Sequence, residues 1–183
     1  MPTLILLNGP PSSGKSTLAA RLVATRPLML DLDVDVVRGM LGAWIDQPHD
    51  AGLAARRLAL AMAGTHLAAG HDVVVPQFIA RDTFIIELET VARDAGARFV
   101  EIALLASRDD TLRWFSERSA APENQQHRDA LQLVERSGGS DALGESHDRF
   151  GEFLDTRPNA RRITVIRGDL EATLRLVETA IES

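Results

Sequence analysis

The chain has 183 residues, no cysteine and a formal charge of −6, with 45% hydrophobic and 25% charged residues. A chain this long buries a core without crosslinks, and the missing thiols exclude disulfides, thiolate metal sites and cysteine nucleophiles. The acidic balance offers no basic field for nucleic acid, which is not expected as a partner. No apolar stretch approaches the ~20 residues of a membrane span, and Leu4 to Leu7 lacks the flanks of an export signal, so a cytoplasmic protein is expected.

The elements alternate along the chain. Leu4 to Asn8 reads as a strand running into Asn8-Gly9-Pro10-Pro11, and Lys15 to Thr25 carries Leu18, Leu22 and Val23 at helical spacing. Pro27 restarts the chain before a second strand, Leu28 to Leu32, that ends in the acids Asp31, Asp33 and Asp35. Asp50 is a plausible cap for an Ala- and Leu-rich helix from Ala51 to Ala69, closed by Gly70. Val73 to Val75 is an apolar β-branched run, as a strand buried on both faces requires, and Pro76 ends it. A helix over Asp82 to Asp94, closed by Gly96, precedes a strand from Arg98 to Leu105. Between this strand and the last, Ile163 to Ile166, lies a polar, Arg-rich, helix-prone insert from about Arg108 to Pro158, broken at Ser137-Gly138-Gly139-Ser140 and placed as a lid would be. A helix from Leu170 to Ile181 ends the chain. Strands alternating with helices predict one α/β domain over 1–183, with a parallel sheet covered on both faces and a ligand site outside the carboxyl ends of its strands.

Gly9-Pro10-Pro11-Ser12-Ser13-Gly14-Lys15-Ser16-Thr17 fits the pattern GxxxxGK[ST], between a strand and a helix. Gly9 and Gly14 permit the tight turn that aims successive N–H groups inward as an anion nest, at the positive end of the following helix. Lys15 is then placed to reach the β- and γ-phosphates of a nucleoside triphosphate, the Ser16 hydroxyl to ligate Mg²⁺, and Thr17 to touch the α-phosphate. Of the 20 Lys and Arg residues only Lys15 is a lysine. It stands where a compact charge on a slim stem suits phosphate best.

The second strand delivers carboxylates beside this nest. A carboxylate there accepts the proton of an attacking hydroxyl or organises Mg²⁺, and a neighbouring arginine holds an anionic substrate or the transferring phosphoryl. Asp35 is the first candidate for the base and Asp33 the second. Asp31 or Asp33 is the candidate to organise the metal, and Arg38 is the nearby cation. At least one of the three acids is expected to be a helix cap or a solvated charge.

The Gly9 to Thr17 loop, the DxDxxR run of Asp33, Asp35 and Arg38, and the helix Leu112-Arg113-Trp114-Phe115-Ser116-Glu117-Arg118 together resemble the small kinases of the P-loop class. That AAA-type ATP-binding group includes chloramphenicol phosphotransferase, zeta-toxin-like kinases, adenylylsulfate kinases and polynucleotide 5′-hydroxyl kinases. The resemblance implies an α/β/α sandwich around a five-stranded parallel sheet of order 2-3-1-4-5, with ATP and Mg²⁺ as cofactors. It also implies Asp35 as base, Arg118 as the lid arginine on the phosphates, and adenine docking near Arg167-Gly168-Asp169. The third strand departs from many P-loop ATPases by ending Val75-Pro76-Gln77 without an acid. That weakens a motor or switch reading, and Gln77 and Arg81 are candidates to face the acceptor instead.

His49, His66, His71, His127 and His147 show no metal-ligand spacing and receive no role. Trp44 and Trp114 suit helix packing more than an acceptor pocket, and Arg128, Arg136, Arg149 and Arg157 read mostly as surface charges. The leading expectation is a kinase that moves the γ-phosphoryl of ATP to a hydroxyl of a small molecule such as an antibiotic, a nucleoside or a sugar conjugate. The alternatives are a nucleotide-dependent regulatory ATPase and a toxin-type kinase of nucleotide sugars.

Overall fold

In the computed structural model, which describes residues 1–183, five parallel strands form one sheet in the order β2-β3-β1-β4-β5. They are β1 (Thr3–Asn8), β2 (Leu30–Asp31), β3 (Val73–Pro76), β4 (Arg98–Leu105) and β5 (Arg161–Thr164). Central β1 is buried along its whole length between β3 and β4. Side chains alternate across a strand, so Leu4 and Leu6 face one layer while Ile5 and Leu7 face the other.

On the first face Leu4, Leu6, Val73 and Val75 pack against α3 (Pro48–Ala68) and α4 (Asp82–Asp94). α3 presents Ala51, Ala55, Ala59 and Ala63 at a spacing of one helical turn, and these short side chains let the helix lie close to its neighbours. On the second face Ile5, Leu7, Val74 and Ile102 pack against α1 (Lys15–Ala24) and α8 (Leu170–Glu182). The insert folds into α5 (Arg108–Ala120), α6 (Gln125–Arg136) and α7 (Gly139–Asp155). Phe150 and Leu154 of α7 anchor it on Ala103 of β4.

Several elements differ from the sequence expectation, among them β5, which spans Arg161–Thr164 where Ile163 to Ile166 was expected. β2 begins at Leu30, because Leu28 is exposed and takes φ +58°, a left-handed turn that interrupts the extended chain. A short helix α2 (Val34–Gly39), not foreseen, begins where β2 gives out, with Asp33 as its cap. α3 starts at Pro48 rather than behind Asp50, since proline has no N–H to lose at the first helical position.

Ion pairs tie the insert to the sheet, Asp155 of α7 with Arg162 of β5 at 3.3 Å and, more deeply buried, Arg157 with Glu101. Glu101 of β4, its side chain 4% exposed, accepts from Arg157 at 2.7 and 3.0 Å, and Arg157 reaches Glu89 of α4 at 2.5 Å. Burial pushes the Glu101 carboxyl upward, opposed by Arg157. Arg157→Ala therefore strands a buried carboxylate and is expected to cost about 3 kcal/mol of stability at neutral pH. A buried acid of raised pKa is destabilising above the ordinary carboxylate range, so the deficit should shrink as the pH falls and Glu101 takes up a proton. Denaturant titrations of both proteins at neutral and acid pH read the two effects.

Candidate active site

The segment joining β1 to α1 is built for close approach. A Cβ on Gly9 would lie 2.9 Å from the Leu104 carbonyl oxygen and 3.0 Å from the Leu104 Cβ, so only glycine passes between β1 and β4. Ser12 at φ +66° and Gly14 at φ +87° then reverse the backbone twice within three residues, the alternation that turns successive N–H groups to one side. Ser13 N–H closes the turn on the Pro10 carbonyl at 3.3 Å. Gly14 caps α1 without any side-chain bond, leaving the first amides of the helix open to a ligand. The hydroxyls of Ser12 and Ser13 are enclosed and have no partner within the protein.

Above this loop lies a cleft of about 780 Å³ at the carboxyl ends of the strands, roofed by α5 and α6. Lys15 points into it and donates only to the Pro10 carbonyl at 2.9 Å. Its ammonium is lowered to about 8 by burial and then by the charge of Arg118, with Asp35 and Asp33 pulling the other way. Arg118 of α5 also lines the cleft, 5.3 Å over the ring of Phe115. Its Nε is enclosed without a partner, and burial holds its guanidinium below the ordinary value while Asp35 raises it. Neither cation forms an ion pair. Two desolvated positive charges close enough to repel each other, over an open helix terminus, make a site that wants an anion.

The acids stand beside them. Ser16 Oγ donates to Asp33 Oδ2 at 3.0 Å, and Asp33 Oδ1 accepts from the Asp35 amide at 2.9 Å. Burial and the charge of Asp35 raise Asp33, against the bonds it accepts from the Asp35 backbone and the Ser16 hydroxyl. Asp31, whose side chain still reaches solvent, is raised to about 6 by partial burial and then by Asp33. Asp35 lines the cleft, with Oδ1 held by Arg38 at 3.1 Å and Oδ2 without a hydrogen-bond partner. The sequence expectation thus meets a structure that gathers Lys15, Ser16, Thr17, Asp31, Asp33, Asp35 and Arg118 around one cleft, together with Pro11, Ser12 and Gly14.

Other candidates lie elsewhere. Arg38 lies between Asp35 and the ring of Trp44, 4.5 Å away, off the cleft wall, with its Nε enclosed and without a partner. Gln77 and Arg81 are absent from that wall as well. The Gln77 N–H still pairs with Leu7 at 3.1 Å, so the strand alternation places Pro76 and Phe78 on the cleft wall and Gln77 off it, with its Oε1 buried and without a partner. Arg81 is exposed just before α4. Arg157 is committed to Glu101, and Arg136 donates to the Ile45 carbonyl at 2.7 Å, holding the end of α6 against the turn before α3.

Sequence reasoning gave no site role to Asn8 or His127, and placed Arg167 only by resemblance, near adenine. Buried Asn8 accepts from the Gly9 and Ile79 amides and donates to the Ile79 carbonyl, all at 2.9 Å, which pins the loop to the segment after β3. An asparagine closing a fully apolar strand was the available signal. His127 of α6 lines the cleft and is lowered by burial and by Arg118. Arg167, which follows β5, lies 4.8 Å over the ring of Trp114, bonds Glu117 at 2.6 Å and lines the same cleft.

A parallel sheet of order β2-β3-β1-β4-β5, with a glycine-bounded phosphate cradle after its central strand, defines a P-loop kinase fold. The chain belongs to the AAA_33 family, an AAA domain, whose model matches residues 4–137. Among solved structures it is similar to a Chloroflexus aurantiacus protein provisionally described as a kinase, at 17% identity and TM-score 0.67 over 99% of this chain and 96% of that one. It is also similar to the tunicamycin resistance protein of Deinococcus radiodurans, at 17% identity and TM-score 0.61 over 100% and 95%. The APS kinase CysC of Mycobacterium tuberculosis aligns at 18% identity and TM-score 0.57 over 100% and 98%. At these identities the likeness shows the fold. No curated protein matches the sequence. No helix is long and apolar enough to cross a membrane.

Proposed function

We propose that the protein is a Mg²⁺- and ATP-dependent phosphotransferase that moves the γ-phosphoryl group to a hydroxyl of a small molecule. The observation that carries this reading is the pair Lys15 and Arg118, two half-buried cations without counter-ions on the wall of the cleft above the Gly9 to Thr17 loop. When bound, Mg·ATP supplies the transferable group and the metal charge that balances the phosphate oxygens. The residues present fit it: enclosed, unpartnered serine hydroxyls, a glycine that a Cβ would block, and a hydroxyl and carboxylate already joined at 3.0 Å.

Lys15 and Arg118 hold the phosphates and meet the charge that spreads over the phosphoryl oxygens during transfer. Ser16 would hold the metal through its hydroxyl oxygen, and Asp33, bonded to that hydroxyl at 3.0 Å, would orient it. Asp35, positioned by Arg38, accepts the proton of the attacking hydroxyl through its free Oδ2. The α5–α7 insert acts as the lid that excludes water, since α5 supplies Arg118 and α6 spans from there to the turn at Ile45.

Purified protein with Mg²⁺ and γ-labelled ATP, offered hydroxyl-bearing antibiotics, nucleosides and sugars, should yield a product heavier by one phosphoryl group. Bound ATP that is slowly hydrolysed, with no acceptor phosphorylated, would defeat the reading in favour of a regulatory ATPase. Asp33→Asn should raise the Mg²⁺ concentration for half-maximal turnover by ~10-fold or more, the usual cost of removing a partner that orients a metal ligand. Nucleotide binding measured without metal should stay unchanged.

A further inference from the structure

The cleft has two unlike halves, and strand order decides which is which. β4 and β5 lie on one side of β1, and the segments that follow them bring Trp114, Arg118 and Arg167 to the cleft. β3 and β2 lie on the other side, and there the wall is apolar. Val36 and Val37 come from α2 and Met40 from the residue that caps it, Met62 from α3, Pro76 from the end of β3 and Phe78 from the segment that follows it. Three of these are open to water, Val36 at 37%, Met40 at 74% and Met62 at 42% exposure. Packing within the protein does not account for thioethers and a valine exposed beside a carboxylate inside a cleft. A ligand that covers them does.

The charges on this half have one sign. Asp31, Asp33 and Asp35 face the cleft, while Arg38 is turned off the wall between Asp35 and Trp44 and Arg81 lies outside. The cations that reach these acids are already engaged, Arg38 between Asp35 and Trp44, and Lys15 and Arg118 by the phosphates in the proposed function, so a phosphate, sulfate or carboxylate on the acceptor would meet the acids unoffset, a costly burial. An apolar or aromatic body would remove the exposed side chains from water, and two methionines adapt their shape to it at little cost.

Resting on the phosphotransferase reading, we infer that the acceptor is an uncharged alcohol whose hydroxyl is carried on an apolar or aromatic body, seated against Met40, Met62 and Phe78 with the hydroxyl at Asp35. Sulfated or phosphorylated acceptors and 5′-hydroxyl nucleic acids are excluded by the same wall.

The test offers the full-length protein pairs of alcohols with aryl or alkyl bodies, each beside its sulfated or phosphorylated counterpart, with a 5′-hydroxyl oligonucleotide included. Product is read by mass and rate by ADP formation. The neutral member of each pair should have the higher kcat/KM by ~10-fold or more, the scale on which an apolar pocket discriminates. Equal or greater transfer to the anionic members would overturn the inference and leave the phosphotransferase standing. ATP bound and hydrolysed with no acceptor phosphorylated at all would remove both. Met62→Lys, far from the phosphate loop in sequence, should raise the KM of the neutral acceptor about tenfold with the KM for ATP unchanged. An unchanged acceptor KM, or equal loss for both substrates, would overturn the placement.

Discussion

Lys15→Ala should weaken ATP binding by ~100-fold and abolish detectable transfer. The magnitude follows from losing charge-assisted hydrogen bonds to the phosphates, each about 1.5–3 kcal/mol, when about 2.7 kcal/mol already corresponds to two decades of affinity. The same substitution should leave the melting temperature unchanged or raise it. Burial and Arg118 push the Lys15 ammonium down to about 8, so its charged form is disfavoured in the empty protein and removing it relieves a cost. Calorimetric titration with ATP and a thermal melt of the same sample separate lost binding from lost folding. Near-normal affinity would contradict the loop geometry. A proton balance accompanies the effect. Between pH 8 and 10.5 the unfolded chain holds this proton and the empty folded protein does not, so stability contributed by Lys15 rises with pH through that window. Phosphate favours the ammonium, so ATP binding at pH 8.5 should take up protons, and affinity should fall as the pH climbs past 8. Repeating the titration in buffers of different ionisation enthalpy reads that uptake directly.

The Gly9 to Thr17 loop was legible in the sequence because its geometry is local. Gly9, Gly14, Lys15 and Ser16 act through backbone geometry and reach within nine consecutive residues, and strand-loop-helix periodicity places them without any long-range contact. The sheet order was legible through the resemblance to P-loop kinases, and the pairings agree with it. Contacts between distant segments were not legible. Nothing in the sequence near Arg38 reports that it stands between Trp44 and Asp35. Gln77 reads as a cleft residue until the extra ladder bond to Leu7 shows that the strand alternation carries on and turns it away. Asn8 and His127 carry no motif, since one acts through a loop 71 residues away and the other through a helix whose docking no periodicity reports. The α2 helix was hidden because Asp33-Val34-Asp35-Val36 alternates like a strand, and only the cap bond from Asp33 to the Asp35 amide turns it.

Asp35→Asn should lower kcat by ~10²- to 10⁴-fold, the range expected for a general base, with ATP affinity altered by no more than a few-fold. The geometry separates Asp35 from its neighbour. Both oxygens of Asp33 are engaged, one by the Ser16 hydroxyl and one by the Asp35 amide, so that carboxylate is committed to orienting other groups. Asp35, which lines the cleft, gives Oδ1 to Arg38, and its Oδ2 has no hydrogen-bond or ion-pair partner. Two opposing effects on nucleotide binding accompany the substitution. Losing the negative charge removes repulsion of the phosphates, and it also removes the attraction by which Asp35 favours the charged forms of Lys15 and Arg118. These act in opposite directions on the same anion, which is why affinity should move little while the chemical step collapses. Single-turnover rates for Asp35→Asn and Asp33→Asn, each measured at saturating Mg²⁺, decide the assignment. If Asp35 is the base, saturating metal rescues Asp33→Asn and does nothing for Asp35→Asn, and the reverse pattern moves the base to Asp33. Arg38→Ala adds the positioning test. It should cost less than Asp35→Asn in kcat, because the free oxygen survives and only its orientation is lost.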